Sequence, residues 1–416
     1  MKKTILTATM LLVVLITGCR NESVETLEAT DFQKSLEFII LEDEAVSAAT
    51  DFLNKGKDVE SRSAANAKVE TIWRNIALDG NQSRNATEGE TVEVPVYVVS
   101  YTNENDEPNG YVVTVGDKRV IDRVLVFSDD GNWDLSGIPE FEEIFWDNVD
   151  NSLTQTLSES DIDMCDTYEY EEQGEIEEFA VNLFLTWGQS GSPYNDSIPW
   201  CSSTNSNMPA GCGPVAIGQI MAYHNYPNSG TYIHPRYNRT VNASYNWTQM
   251  KASTDARQLP VAAGRSGVAN LLAEIGYKSG TTYGCDGSGT NIYSIPTTFR
   301  NMGYSCDVDD FILSHVIDDI DNSQPVLLYG FSSLGGHAWV VEGYRQTVNN
   351  LIYGRDCPDD SESIPPTVID YSVLSNYLYF NLGWHNNSNG FYLADTFQEW
   401  DLPQNVGMVY NIKRAN

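Results

Sequence analysis

Basic residues are scarce in this 416-residue chain, with 24 Lys and Arg against 58 Asp and Glu for a formal charge of −34. A field of that sign repels phosphate backbones and anionic lipid, which excludes nucleic acid as a partner. Histidine is scarcer: His224, His234, His315, His337 and His385 are the whole set, so imidazole chemistry has few places to reside. The cysteines after Cys19, at 165, 201, 212, 285, 306 and 357, lack the paired short spacings of zinc sites. Neither a metal nor an organic cofactor is expected. No apolar run beyond residues 5–16 is long, and composition excludes disorder and collagen-like architecture. At roughly 100 to 200 residues per domain the length suggests two or three domains.

Residues 5–16 are apolar, follow Lys2 and Lys3, and end in Ile16-Thr17-Gly18-Cys19. The run is short of the roughly 20 residues of a membrane span. It reads as a lipoprotein signal peptide, residues 1–18, with Cys19 becoming a lipid-anchored N-terminus. An ordinary secretory signal with an incidental cysteine is the alternative. The expected location is the outer membrane or cell surface, where disulfides are permitted but their pairing is not legible.

The charge is unevenly placed. Residues 20–180 hold 11 basic and 39 acidic groups, and residues 181–416 hold 11 and 19. In the front part, Ala45, Ala48, Ala49, Phe52 and Leu53 recur at helical spacing after three acids, predicting a helix over 42–55. Strand patterns over 94–101, 111–115 and 120–127, punctuated by Asn109-Gly110 and Gly116-Asp117, predict an antiparallel meander. Between Glu159 and Glu178 lie ten acids and no base. Such a stretch is expected to stay solvated as a linker open to proteolysis, placing a boundary at 161–180; an acidic surface loop inside one domain is the rival reading.

The back part carries the chemistry. In Gly211-Cys212-Gly213-Pro214-Val215-Ala216, Pro214 suits a helix's first turn, and Val215, Ala216, Ile220 and Tyr223 continue it. Cys212 then sits at a helix N-terminus, where the dipole favours a thiolate. The flanking glycines admit a close backbone or substrate. A thiolate nucleophile wants an imidazole partner. His337 follows two glycines and opens the apolar run 338–341, a strand that would hold it rigidly. His224, further along the Cys212 helix, reads as a capping or packing residue. Asn381, after the apolar run 377–380, would orient the imidazole, with Trp384 shielding that bond; an Asn at a strand end is also an ordinary turn residue.

These residues resemble the streptopain family, peptidase C10, of papain-like cysteine proteases. The likeness rests on the Cys212 helix with Gln219-Ile220-Met221 and Tyr223-His224-Asn225-Tyr226-Pro227. It extends to Gln189-Ser190-Gly191-Ser192-Pro193, Tyr245-Asn246-Trp247, the segment 271–276 running into Tyr283-Gly284, and Gly336-His337-Ala338. Residues 110–119 are similar to the family's propeptide. The resemblance implies an α+β papain-like fold, a nucleophile helix packed on an antiparallel sheet, over 181–416, preceded by a small α+β inhibitory prodomain over 19–160. It implies Gln189 as an oxyanion donor, Cys212 and His337 as the dyad, and protein or peptide substrates. Leu382 stands where the family usually has tryptophan, and 345–376 reads as an inserted loop. Rival functions are acyl transfer or amidase chemistry on the same dyad, and a surface inhibitor or binding protein that kept the fold.

Overall fold

The computed structural model describes residues 38–55, 62–78, 91–159, 166–181, 183–355, 369–397 and 406–415. The signal segment with Cys19, and Cys165 and Cys357, lie outside them. Helix α1 (Glu42–Asn54) carries Glu42, Asp43 and Glu44 in its first turn, where the dipole favours acids, and buries Ala45, Ala49 and Leu53. It packs on a meander of β1 (Ala67–Ala77), β2 (Thr91–Thr102), β3 (Pro108–Val115) and β4 (Val124–Ser128). The predicted helix and three strands are there, and β1 precedes them.

Helix α2 (Pro139–Glu159) follows a tight turn. Proline opens it and Glu140 and Glu142 occupy its first turn. Phe141, Ile144, Phe145, Val149, Leu153 and Leu157, at the spacing of one helix face, are all at most 2% exposed.

The acidic stretch departs from expectation. Residues Asp166–Ala180 form strand β5, laid antiparallel along the outer half of the long strand β12 (Gly335–Arg355). Ladder hydrogen bonds satisfy a strand edge that would otherwise be bare, and Arg345 meets the Glu178 carboxylate at 2.6 Å. Backbone pairing there outweighs like-charge repulsion.

The back part continues with β6 (Trp200–Cys201), β7 (Ser206–Asn207), α3 (Cys212–His224), β8 (Ser229–Ile233), β9 (Thr240–Ser244), α4 (Trp247–Met250), α5 (Ala262–Ser279) and α6 (Ile295–Asn301). Then come β10 (Tyr304–Asp310), α7 (Leu313–Asp321), β11 (Val326–Ser332), β12, β13 (Ile369–Asn381), β14 (Gly390–Leu393) and β15 (Val406–Arg414). Helix α3 is buried from Gly213 to Ala222 and packs on α5 and β12, so the α+β arrangement of a nucleophile helix on an antiparallel sheet is what the chain adopts. Of the residues expected as an inserted loop, 345–376, those described, 345–355 and 369–376, instead extend β12 and β13 as a paired ladder.

Front and back parts share one sheet, ordered β1-β2-β3-β4-β14-β13-β12-β11-β15-β10. The junction is Val126 and Phe127 of β4 paired with Tyr392 and Phe391 of β14. An aromatic core closes over it: Phe141 of α2 lies edge-on to Trp339 at 5.1 Å and to Tyr392 at 5.7 Å. Ile39–Asn416 accordingly form one compact unit.

Candidate active site

Cys212 opens α3 as its sequence requires. Gly211 has φ +94°, and a Cβ there would stand 2.9 Å from the Ser288 carbonyl; one on Gly213 would stand 2.9 Å from Thr290. The close neighbour that the glycines admit is therefore the 281–290 loop of this chain. A disulfide between Cys201 and Cys285 ties that loop down, and Cys306 is a buried free thiol.

Cys212 is half-buried, and the expected thiolate is not favoured in this state. Burial pushes the thiol up, against the pull of the Ala338, Gly213 and Cys212 N–H groups, and the Glu140 carboxylate pushes the same way as burial. Desolvation outweighs the helix terminus.

His337 lies on β12 at 2% exposure. Its Nε2 is 2.9 Å from the Leu382 carbonyl, and since a carbonyl only accepts, Nε2 carries the proton. Phe141 lies edge-on at 5.7 Å and Trp339 is stacked at 6.2 Å. Burial lowers the imidazole pKa to about 4, with the Leu382 carbonyl pulling the other way, so the ring is neutral near pH 7.

Asn381, at the end of β13, turns away from His337. Its Nδ2 donates to Glu342 Oε1 at 2.8 Å, to Gln219 Oε1 at 3.1 Å and to the Leu185 carbonyl. Its Oδ1 accepts from Gln219 Nε2 at 3.3 Å and Gly383 N at 3.2 Å. The imidazole acceptor here is thus a main-chain carbonyl one residue on, because a buried carboxylate claims the amide. Glu342 falls at an irregularity where β12 slips register against β13, a position that re-aims a side chain. Burial raises its pKa to about 7. Gln219 lies two helical turns from Cys212 on the same face, a spacing visible in the sequence; nothing local marked Glu342 or the Leu382 carbonyl.

Gln189 is 8% exposed and its carbonyl accepts from Ala210 N at 2.8 Å, which ties it beside the loop that leads into Cys212. Trp384 does not shield an Asn381–His337 bond. It packs on the front part, where a Cβ on Gly137 would stand 2.2 Å from its Nε1. Leu382, at the position of the family's tryptophan, is fully buried. His224 ends α3 and packs on Tyr223 and Tyr304. The His385 ring packs on Gly188 and Tyr194.

The front part holds both sides of this site. Glu143 of α2 accepts from Ser333 Oγ at 2.6 Å and Leu334 N at 3.0 Å, in the turn before His337. Ser388 bonds the backbone of Asn132 and Asp134, at 2.9 and 2.8 Å, in the loop after Asn381. Phe141 and Glu140 sit between these grips, on the imidazole and near the thiol.

Comparison with known proteins bears on the fold and on the family. Residues 187–392 match a family model described as the peptidase C10 family, and residues 37–153 one described as Spi protease inhibitor. The acidic stretch falls in the interval between them. The chain is 24% identical over 397 residues to streptopain of Streptococcus pyogenes, covering 85% of this chain and 84% of that protein. It is 23% identical over 230 residues to the thiol protease/hemagglutinin PrtT of Porphyromonas gingivalis, covering 50% of this chain and 23% of that one. Among solved structures it is similar to a prointerpain A fragment of Prevotella intermedia bearing a cysteine-to-alanine mutation. That similarity has TM-score 0.50 and 16% identity, covers 81% of this chain and 98% of the other, and bears on the fold.

Proposed function

We propose, for a chain that belongs to the peptidase C10 family of cysteine endopeptidases, that residues 19–160 are an inhibitory prodomain and residues 181–416 the catalytic domain, with Cys212 and His337 as the dyad. In the mature enzyme the Cys212 sulfur attacks the scissile carbonyl. His337 takes the thiol proton and returns it to the leaving amine, and water hydrolyses the thioester. Gln189 and the Cys212 N–H hold the oxyanion. Asn381, adjacent to Leu382 on the same strand end, becomes the imidazole's acceptor when the ring turns toward sulfur, and Trp384 covers it once Gly137 has left. Cleavage within 161–180 releases the front part. The segment 1–18 directs export and Cys19 carries the lipid anchor, with the mature fragment free to leave the surface.

The observation that carries this reading is helix α2: one turn of it sets Phe141 against the buried imidazole and Glu140 near the thiol. A thiol pushed up and an imidazole held down are both neutral, the opposite of a working ion pair.

The full chain and its Cys212→Ala variant are incubated and followed by intact mass and N-terminal sequencing. The intact chain is expected to lose its front part with a new N-terminus inside 161–180 and then to hydrolyse casein, while the variant stays whole. A chain that stays whole, or whose sulfur transfers a peptide acyl group to an added amine in preference to water, rejects the reading.

A further inference from the structure

Two arginines at one hairpin tip take part in no ion pair among the described residues. Strands β8 and β9 form a hairpin whose tip is His234-Pro235-Arg236-Tyr237-Asn238-Arg239. The two, Arg236 and Arg239, are exposed. Each is stacked on an aromatic ring: Arg236 lies 5.6 Å from the Trp200 centroid and 5.4 Å from Tyr237, and Arg239 lies 5.3 Å from Tyr237. Trp200 and Tyr237 are themselves 45% and 56% exposed. Stacking fixes the guanidinium planes while leaving their N–H groups to solvent, so little rotamer freedom remains to lose when an anion arrives.

The tip adjoins a groove that leads to the candidate site. Arg236 Nη1 is 3.5 Å from Asn207 Oδ1. Asn207 lines a groove of about 390 Å³ with Ser190, Gly191, Asn195, Asp196 and Pro209, and the Asp196 carboxylate, bonded by Ser192 Oγ at 2.7 Å, leaves the hairpin tip as the attractive end for an anionic segment. Ser190 follows Gln189, and Pro209 is three residues before Cys212. The groove therefore runs from beside the proposed oxyanion donor to Asn207, which Arg236 contacts.

We propose that this hairpin tip and groove are an exosite for an extended, Asp- and Glu-rich peptide segment of the substrate. Charge complementarity selects that occupant. In a region with 11 basic and 19 acidic residues, a paired-cation tip is a local attraction for carboxylates within a field that otherwise repels them. The chain contains such a segment at 159–178, ten acids and no base, where the proposed maturation cleavage falls. The inference rests on the protease reading.

The test uses self-processed enzyme and a neutral peptide that it cleaves, extended at either end by four Glu or four Gln. The Glu version is expected to show kcat/KM at least about tenfold higher at low ionic strength, with the advantage lost in 0.5 M salt and in an Arg236→Glu/Arg239→Glu variant. Turnover of the Gln version stays unchanged in that variant, which also reports that it is folded. Equal kcat/KM for the two versions, or a Glu preference that survives charge reversal, overturns the exosite. So does dextran sulfate binding at the tip without discrimination between the peptides, which marks a glycan site. If no peptide is cleaved, the protease reading has failed first.

Discussion

The His337 imidazole donates from Nε2 to the Leu382 carbonyl across 2.9 Å, and Phe141 of the front part closes over the ring. Burial keeps the ring neutral against the pull of the Leu382 carbonyl, and burial keeps the Cys212 thiol protonated. Alkylation of Cys212 by iodoacetamide near neutral pH is therefore expected to be slow in the intact chain, and to rise at least about a hundredfold once the front part is removed. The rate is followed by mass spectrometry of the Cys212 peptide. Equal rates before and after processing would mean that latency does not lie in the proposed Cys212–His337 dyad.

Phe141 is fully buried, and its ring partners Trp339, Phe380 and Tyr392 all belong to the back part. Truncating such a phenylalanine costs about 3 to 5 kcal/mol. Because the partners lie across the boundary, most of that loss falls on docking of the front part. Phe141→Ala is expected to process itself faster than the parent chain, in a gel time course. A variant that melts earlier yet processes no faster would show that Phe141 serves only the fold of the front part.

What the sequence made legible is what local pattern encodes. Pro214 and the apolar spacing after it predict the Cys212 helix, and the run after His337 predicts its strand; both are where they were expected. Helix α2 was written as plainly in the spacing of Phe141, Phe145 and Val149, but no motif drew notice to it. The 166–180 strand was hidden because its acids argue for solvation while the bare edge of β12, which decides the matter, is distant in sequence. The same holds for β4 meeting β14. At the site, side-chain identity suggested that Asn381 orients His337, whereas a carboxylate brought in at a strand irregularity holds the amide. Gln189 looked like a loop residue until resemblance singled it out.

Glu342 makes the stability of the intact chain depend on pH. Its carboxyl has a folded pKa of about 7 against an ordinary 4.5, so the protonated form stabilises the fold below 4.5 and that stability is lost as pH rises through 7. At 1.36 kcal/mol per unit the swing is about 3 kcal/mol. His337 runs the other way: with a folded value of about 4 against 6.5, its contribution is present above 6.5 and lost as pH falls through 4. The two nearly cancel in the parent. Glu342→Gln, in a Cys212→Ala background that keeps the chain whole, keeps an acceptor for Asn381 and removes one slope. Urea midpoints are expected to favour the variant by up to about 3 kcal/mol at pH 7.5 relative to pH 4.5. A pH-independent difference would sink the assignment.

The Cys201–Cys285 disulfide spans 84 residues, a closure worth roughly 4 to 5 kcal/mol in chain entropy. It anchors the loop that backs Gly211 and Gly213. Cys201→Ser/Cys285→Ser is expected to lower stability by up to that amount and to raise KM more than it lowers kcat, since the loop borders the cleft rather than supplying reacting groups. Unchanged melting in the double variant would show that the loop holds itself in place.

Gln189 offers the sharpest test of the proposed chemistry. Its backbone is fixed by the Ala210 N–H to the loop that leads into Cys212, and its side-chain amide makes no hydrogen bond among the described residues, which leaves an N–H free to meet a developing oxyanion. Losing one such donor costs about 10²- to 10³-fold in kcat with KM little changed, because the contact strengthens as the tetrahedral oxygen forms. Gln189→Ala in the mature enzyme is expected to show that split. Gln189→Glu should be at least as slow, since a carboxylate there meets the developing negative charge. Steady-state kinetics on one peptide decides: if Gln189→Ala keeps kcat within threefold, the Cys212 N–H alone holds the oxyanion and Gln189 only shapes the groove.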